Sequence, residues 1–414
     1  MSLSNTLHNL RQSKRLPRAP ISRRMVVAIL SKLQGCNLTL ADQWDCLPCG
    51  DGQETNDLTA VLKVTNPAFY RHVVSQGELG AADAYGDGDW ECDHLTQLFQ
   101  MFIRNRPTSK SLTGYASRLR GRCRNVRRWF QGNNRKRSRR NIHAHYDLGN
   151  DFFQVFLDES LNYSSAVFDH PSQSLHAASI NKMDQLCRDL ELVPEDHLVE
   201  IGTGWGAFAI HAATQYGCRV TTTTISDSQY RFVIKKVQDL GLQNRITVLN
   251  DDYRDLEGVY DKLVSVEMIE AVGYEYLPIF FQKCNSLLRP GGKMSLQAIL
   301  MNDLHFDSYV KSTDFIREFI FPGACLPCKR VIDDILVQKT ELSIVHSTDI
   351  TAQYAKTLRC WHDSLIARKG EILDLGFDER FLRIWAYYLC YCEAGFMERH
   401  CTTVQMKLQR ENVS

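Results

Sequence analysis

Between residues 198 and 298 short apolar runs alternate with helically spaced segments, a pattern that leaves little besides an open α/β sheet. Strands are predicted over 198–202, 219–225, 246–249, 262–266 and 293–298, helices over 208–216, 228–240 and 276–288, and a turn at Pro290-Gly-Gly292. Such sheets bind ligands at the carboxyl ends of their strands. There the first strand enters Val199-Glu-Ile-Gly-Thr-Gly-Trp-Gly206, whose three glycines let a ligand approach backbone that a Cβ would shield. A glycine turn alone also serves dinucleotides. Here the spacing is Gly202-x-Gly204-x-Gly206, and the preceding acid, Glu200, suits an amino group better than a pyrophosphate, which favours S-adenosylmethionine. After the second strand Thr224, Ser226, Asp227 and Gln229 offer polar groups to a ribose, and after the third Asp252, Tyr253 and Arg254 flank the place of an adenine. Taken singly, each also reads as a helix cap or a solvated turn.

The chain has 414 residues, enough for one large domain and a smaller one, and its 44% hydrophobic content excludes global disorder. No apolar stretch approaches the roughly 20 residues that cross a bilayer, and no secretory leader is recognisable, so a cytoplasmic location is expected with reduced thiols among the 14 cysteines. Two Cys-Leu-Pro-Cys runs, starting at Cys46 and Cys325, admit structural zinc, a redox pair or coincidence; no Cys/His cluster completes either, so no metal is expected. The net charge of +1 conceals an asymmetry: seven Lys/Arg over 1–41 and eleven over 118–140, without an acid in either run, leave 31 basic residues against all 48 acids elsewhere. Basic runs of this kind suit phosphate on nucleic acid or on an anionic membrane, and a solvated linker is the bland alternative. Trp129 and Phe130 between the arginines favour the membrane, at whose inner face the protein is expected to sit peripherally.

The expected organisation is a basic mobile arm over 1–41 with a short helix at 25–33, a small lipid-docking α+β domain over 42–115, a basic linker over 116–144, and a catalytic domain over 145–414. In the small domain a strand is predicted over 60–64, helices over 68–74 and 95–103, and a helix entry followed by a turn within 77–90.

Five runs then resemble one family. His145-Tyr-Asp-Leu-Gly-Asn150, Leu161-Asn-Tyr-Ser-Ser-Ala166, Glu200-Ile-Gly-Thr-Gly-Trp-Gly206, Ser265-Val-Glu-Met-Ile-Glu-Ala-Val-Gly273 and Cys392-Glu-Ala-Gly-Phe396 are similar to those of the cyclopropane-fatty-acyl-phospholipid synthases and mycolic acid cyclopropane synthases. The resemblance spans about 60–410. It implies a seven-stranded Rossmann-like methyltransferase sheet, S-adenosylmethionine as donor, and an unsaturated acyl chain, commonly in a phospholipid, as acceptor. By position Tyr163, Ser164, Gly202, Gly204, Thr224, Gln229, Tyr253 and Arg254 would contact the cofactor, beside Glu200 and Gly206 of the same turn. It further implies a bicarbonate base held by a glutamate (Glu270), a tyrosine (Tyr354) and a main-chain group (Ile299); Ser165 and Gln297 stand where many members carry cysteine and histidine, which weakens that site. Cys392 matches a cysteine discussed as catalytic, although a thiolate there would intercept the sulfonium or the cation.

Methylating an isolated alkene leaves a carbocation that water would trap, so the site must be dry and able to stabilise positive charge. Tyr163, Phe168, Tyr354, Trp361 and Tyr391 are candidate aromatic faces, and the apolar segment 314–323 lines either an acyl tunnel or the core. Ring closure then requires a base for a proton of the delivered methyl group. The expected product is a cyclopropane fatty acid, with a methyl-branched or methylene chain as the rival. A nucleic-acid methyltransferase is more remote, because Glu267-Met-Ile-Glu-Ala-Val-Gly273 replaces the Asn/Asp-Pro-Pro-aromatic run of amino-methylating enzymes, and no nucleic-acid partner is expected. A homodimer is left open.

Overall fold

The computed structural model describes residues 19–53, 57–106 and 148–412, in two units, Met1–Ser117 and Arg118–Ser414. The basic run over 118–140 with Trp129 and Phe130, most of the expected linker, and His145 of the first family run lie outside the described residues.

In the first unit, helix α1 (Ile21–Leu30) precedes strands β1 (Asn37–Ala41), β2 (Cys46–Gly50) and β3 (Thr59–Val64), helices α2 (Ala68–Gln76) and α3 (Glu78–Gly86), strand β4 (Trp90–Cys92) and helix α4 (Leu95–Arg104). The sheet order is β2-β1-β3-β4, with β1 and β3 parallel. From Ile21 onward the stretch expected as a mobile arm is therefore helix and strand, and the small unit starts well before Asp42. Arg23 shows why: it is buried, its Nε donates to Asp42 at 2.7 Å, and its guanidinium lies 5.4 Å from the centre of the Trp44 ring. One of the seven arm cations thus serves the core rather than a lipid surface. Asp42 also accepts from the Tyr70 hydroxyl; burial pushes this carboxyl up, but the hydrogen bonds of Arg23, Tyr70 and the Asp45 and Trp44 amides outweigh it and hold Asp42 below its usual range. Cys46 and Cys49 stand three apart on β2, one exposed and one buried, so they point to opposite faces and share no ligand. Among the described residues no cluster of three metal-binding side chains exists, and every described cysteine is free.

Among the described residues of the second unit, α5 (Asn150–Phe156) and α6 (Leu175–Leu190) come first. It continues through β5 (His197–Ile201), α7 (Ala207–His211), β6 (Arg219–Thr223), α8 (Asp227–Asp239), β7 (Ile246–Leu249), β8 (Tyr260–Val266), α9 (Leu277–Leu287) and β9 (Leu288–Met301). Then follow α10 (Asp303–Val310), α11 (Lys329–Lys339), β10 (Leu342–Asp349), α12 (Thr351–Ala367), α13 (Lys369–Asp374), α14 (Glu379–Met397) and β11 (Cys401–Arg410). The seven strands are ordered β10-β11-β9-β8-β5-β6-β7, and only β11 runs against its neighbours. Alternate residues feed the two faces: Val199 and Leu263 enter one apolar cluster with Phe280 and Phe281, while Leu198 and Val264 enter the other with Met183 and Phe208. The chain leaves β5 first towards β6 and later returns to β8 on its other side, so the strand order reverses between β5 and β8. The site belongs at that crevice.

Removing the Asp42 carboxylate would strand the Arg23 guanidinium in the first unit's core. Asp42→Ala should destabilise that unit by about 3 kcal/mol, and hydrogen exchange followed by mass spectrometry should find the β1 and β3 amides exchanging about two orders of magnitude faster than in the wild type.

Candidate active site

The glycine turn after β5 adopts backbone that side chains resist. Gly202, Gly204 and Gly206 have φ of 99°, 52° and 82°, and a Cβ on Gly204 would meet no atom within 4 Å, which leaves an open cradle over the turn. The Gly202 and Thr203 amides donate to the Thr223 carbonyl. Glu200 is buried, accepts from the Thr222 hydroxyl at 2.5 Å, and is pushed up to about 7 by burial, against that hydroxyl and the nearby Lys182. At the end of β6, Thr224 donates to Gln229 at 3.0 Å and accepts from the Ser226 amide, while Ser226 caps α8. After β7 the Arg254 guanidinium is tied to Asp252 at 2.6 Å and lies 5.4 Å from the Tyr276 ring centre, while the buried Tyr253 hydroxyl has no hydrogen-bond partner. Ser164 accepts from Lys182 at 2.8 Å, and Lys182, fully buried, is lowered to about 8 by desolvation despite Glu267, Asp158 and Glu200. Tyr163 shares a 3.1 Å hydrogen bond with Tyr388.

Aromatic rings link this turn to the other half of the site. Trp205 lies 4.9 Å from Phe153, Phe153 lies 5.3 Å from Tyr163, and Tyr163 lies 5.3 Å from Trp361; Tyr354, 6.1 Å from Trp361, stacks on Phe396 at 4.4 Å. Two of the five expected aromatics stand elsewhere. Phe168 packs with Ala166 and Ala178 and carries Lys356 on its face at 3.7 Å, and Tyr391 packs on Phe315 at 5.6 Å. The 314–323 segment divides: Phe315 is buried against Tyr387, whereas Phe321 comes within 6.3 Å of Tyr163.

The residues expected to bind an anion are brought together, but around a carboxylate of the chain itself. Glu267, which follows β8, accepts from the Ser165 amide at 2.9 Å, the Gln297 side-chain amide at 2.7 Å and the Tyr354 hydroxyl at 2.7 Å. Gln297 is fixed in turn by Gln405 at 2.9 Å. The Ile299 amide donates instead to Glu270 at 2.6 Å, and the other Glu270 oxygen is buried without a partner. A bicarbonate ion does not fit this arrangement, because its expected donors are already engaged. Sequence reasoning missed Glu267; the only signal was a second acid three residues before Glu270 at a strand end.

Burial pushes Glu270 up to about 8, the charge of Glu267 adds to the rise, and the Ile299 amide opposes it. Glu267 is also pushed up by burial, but Gln297, the Ser165 amide, Tyr354 and Lys182 all favour its charged form. Burial raises both carboxyls, but three donors and Lys182 oppose the rise at Glu267 where only backbone amides oppose it at Glu270, so negative charge is better supported on Glu267. Cys392 is held well above its usual range by burial and by Cys401, Asp314 and Cys390, so it is a thiol rather than a thiolate nucleophile.

This sheet, with a glycine turn at its switch point, defines the class of S-adenosylmethionine-dependent methyltransferases. Residues 133–406 match the family described as mycolic acid cyclopropane synthetase, and the chain belongs to that family. It is 36% identical over 351 residues to a tuberculostearic acid methyltransferase, UfaA1, of Mycobacterium tuberculosis, a match covering 83% of this chain and 82% of the relative. It is 33% identical to the cyclopropane-fatty-acyl-phospholipid synthase of Escherichia coli, over 85% of this chain and 88% of that one. Among solved structures, the mycolic acid cyclopropane synthase CmaA1 complexed with SAH and CTAB superposes with a TM-score of 0.62 at 29% identity, covering 66% of this chain and 98% of that one.

Glu270 retains its proton when folded but loses it when unfolded, so its contribution to stability is full below the ordinary carboxyl range and is lost as pH rises towards 8. Glu270→Gln should flatten the fall in unfolding free energy between pH 5 and 8 by up to about 1.4 kcal/mol per pH unit, measured as urea midpoints across that range.

Proposed function

We propose that the enzyme transfers a methyl group from S-adenosylmethionine to the carbon–carbon double bond of an unsaturated acyl chain in a membrane phospholipid, and that the product is a cyclopropane fatty acid. The observation that carries this reading is the aromatic wall of Tyr163, Trp361 and Tyr354 beginning at the glycine turn. Such a wall suits a carbocation: each desolvated ring face stabilises a cation by about 0.5–2 kcal/mol and offers no lone pair to attack it.

The residues present fit the cofactor. The open space over Gly204, the partnerless Tyr253 hydroxyl and the buried acid Glu200 favour a ligand with a cationic end, a ribose and a planar base. Gly202, Gly204 and Gly206 would admit it; Tyr163, Ser164, Thr224, Gln229, Tyr253 and Arg254 would surround it. When bound it supplies a methyl group on a sulfonium. The chain's own residues exclude water, stabilise the cation and receive a proton. Loss of that proton from the delivered methyl closes a ring, whereas loss from another chain carbon leaves a methylene or branched product.

The two basic runs of the sequence favour delivery of the acyl chain at an anionic membrane surface. Flotation should find the protein on anionic vesicles, released by high salt and absent from neutral ones.

Purified protein, methyl-labelled S-adenosylmethionine and vesicles of monounsaturated phospholipid should yield fatty acids heavier by one labelled CH₂, whose NMR spectrum separates ring from branch; label confined to headgroups or protein would refute the reading. Gly204→Ala should weaken S-adenosylhomocysteine binding by tenfold or more, about 1.4 kcal/mol, and should lower the melting temperature by only a few degrees, since the new methyl meets no protein atom and the cost is the backbone strain of an alanine at φ 52°.

A further inference from the structure

Glu267 is strained. Its φ of 49° lies in the left-handed region, where glycine is at ease and an acidic side chain costs about 1 kcal/mol. Its two oxygens take hydrogen bonds from three separate elements: the Ser165 amide and the Gln297 amide group on one, the Tyr354 hydroxyl on the other. Its backbone amide is tied to the Gln297 carbonyl at 2.8 Å. It is not sealed off: Glu267 keeps some accessible surface, as do Gly202 and Gly204 of the glycine turn and Tyr163 of the aromatic wall. Its neighbour Met268 packs against Gly202, where an added Cβ would lie 3.0 Å from its side chain, and Tyr354 connects the carboxylate to the aromatic wall.

Resting on the proposed alkene methylation, we propose that Glu267 is the catalytic base, a carboxylate built into the chain where the resemblance implies a bound bicarbonate ion. After methyl transfer the acyl chain carries the positive charge. A C–H bond of the delivered methyl, or of a chain carbon beside the cation, breaks towards a Glu267 oxygen, and its electron pair forms the new C–C σ or π bond. The carboxylate becomes a carboxylic acid, and its proton passes to solvent as product leaves. The same tethering prevents the side reaction to be feared from a nucleophile here. With both oxygens hydrogen-bonded and the backbone fixed, Glu267 cannot advance to the shorter distance that an ester bond to the cation requires.

Bicarbonate dependence tests this. Wild-type enzyme assayed on unsaturated phospholipid in carbonate-free buffer should keep its full rate, and labelled bicarbonate should show no binding by carbon NMR. Glu267→Gly relieves the backbone strain and orphans the three donors. It should bind S-adenosylhomocysteine as the wild type does, lose at least a hundredfold in rate in carbonate-free buffer, recover at least tenfold with added bicarbonate, and now bind labelled bicarbonate. Glu267→Gln, which refills the space without a base, should be inactive and not rescued. A wild-type rate that falls tenfold on removing bicarbonate, or a Glu267→Gly enzyme that stays fast without it, overturns the assignment while leaving alkene methylation intact. Failure of the wild type to label any acyl chain is a separate outcome, and overturns both.

Discussion

Two carboxyls stand one short turn apart in the interior, and the hydrogen bonds around them support charge on one far better than on the other. Glu267 receives three donors and the field of Lys182; Glu270 receives one amide and leaves an oxygen without a partner. The asymmetry is set by the sheet. The β8–β9 register pairs Val266 with Gln297, which brings the Gln297 side chain beside Glu267 and the Ile299 amide, two residues on, beside Glu270. Tyr354 arrives from α12 and Ser165 from the loop before α6, so the ionised position is over-determined by parts distant in sequence.

The parallel half of the sheet was legible because its strands are buried on both faces and read as apolar runs broken by helical periods, from β5 to β9. Strands β10 and β11 were not. Leu342–Asp349, at the edge, is mostly exposed, and Cys401–Arg410, paired on both sides, interleaves polar residues with Val404, Met406 and Leu408, so neither reads as a continuous apolar run. In the small unit Arg23 looked like any arm cation; only the fold brings Asp42 and Tyr70 to it.

At the site, backbone constraints were more legible than side-chain partnerships. The glycine turn follows from spacing, because φ > 0 is a property that a sequence must declare. A carboxylate's charge state is not declared: it depends on donors 87, 102 and 30 residues away. Motif correspondence drew attention to Glu270 and read Ser165, Gln297 and Tyr354 as ligands of an external ion, whereas they are ligands of Glu267. Phe168 failed for a simpler reason, since an aromatic near a motif is more often core than wall, and here it packs on Ala166 and Ala178.

The remaining charges complete the electrostatics. Lys182, hydrogen-bonded to Ser164 and Asn162, is lowered by desolvation, and Glu267, Asp158 and Glu200 oppose that fall, so one cation serves the acid of the glycine turn and the acid at the end of β8. Cys392 stays protonated and Tyr354 is held far above its usual range by burial and by Glu267, so neither adds a competing anion. The Glu267 carboxyl is held at a fixed position by three donors before any substrate is present. Preorganised charge of that kind needs no reorganisation when positive charge develops nearby. The same carboxylate that stabilises a cation by its field is placed to end the cation's lifetime by removing a proton, and the hydrogen bonds that make it a weak nucleophile keep these two roles compatible.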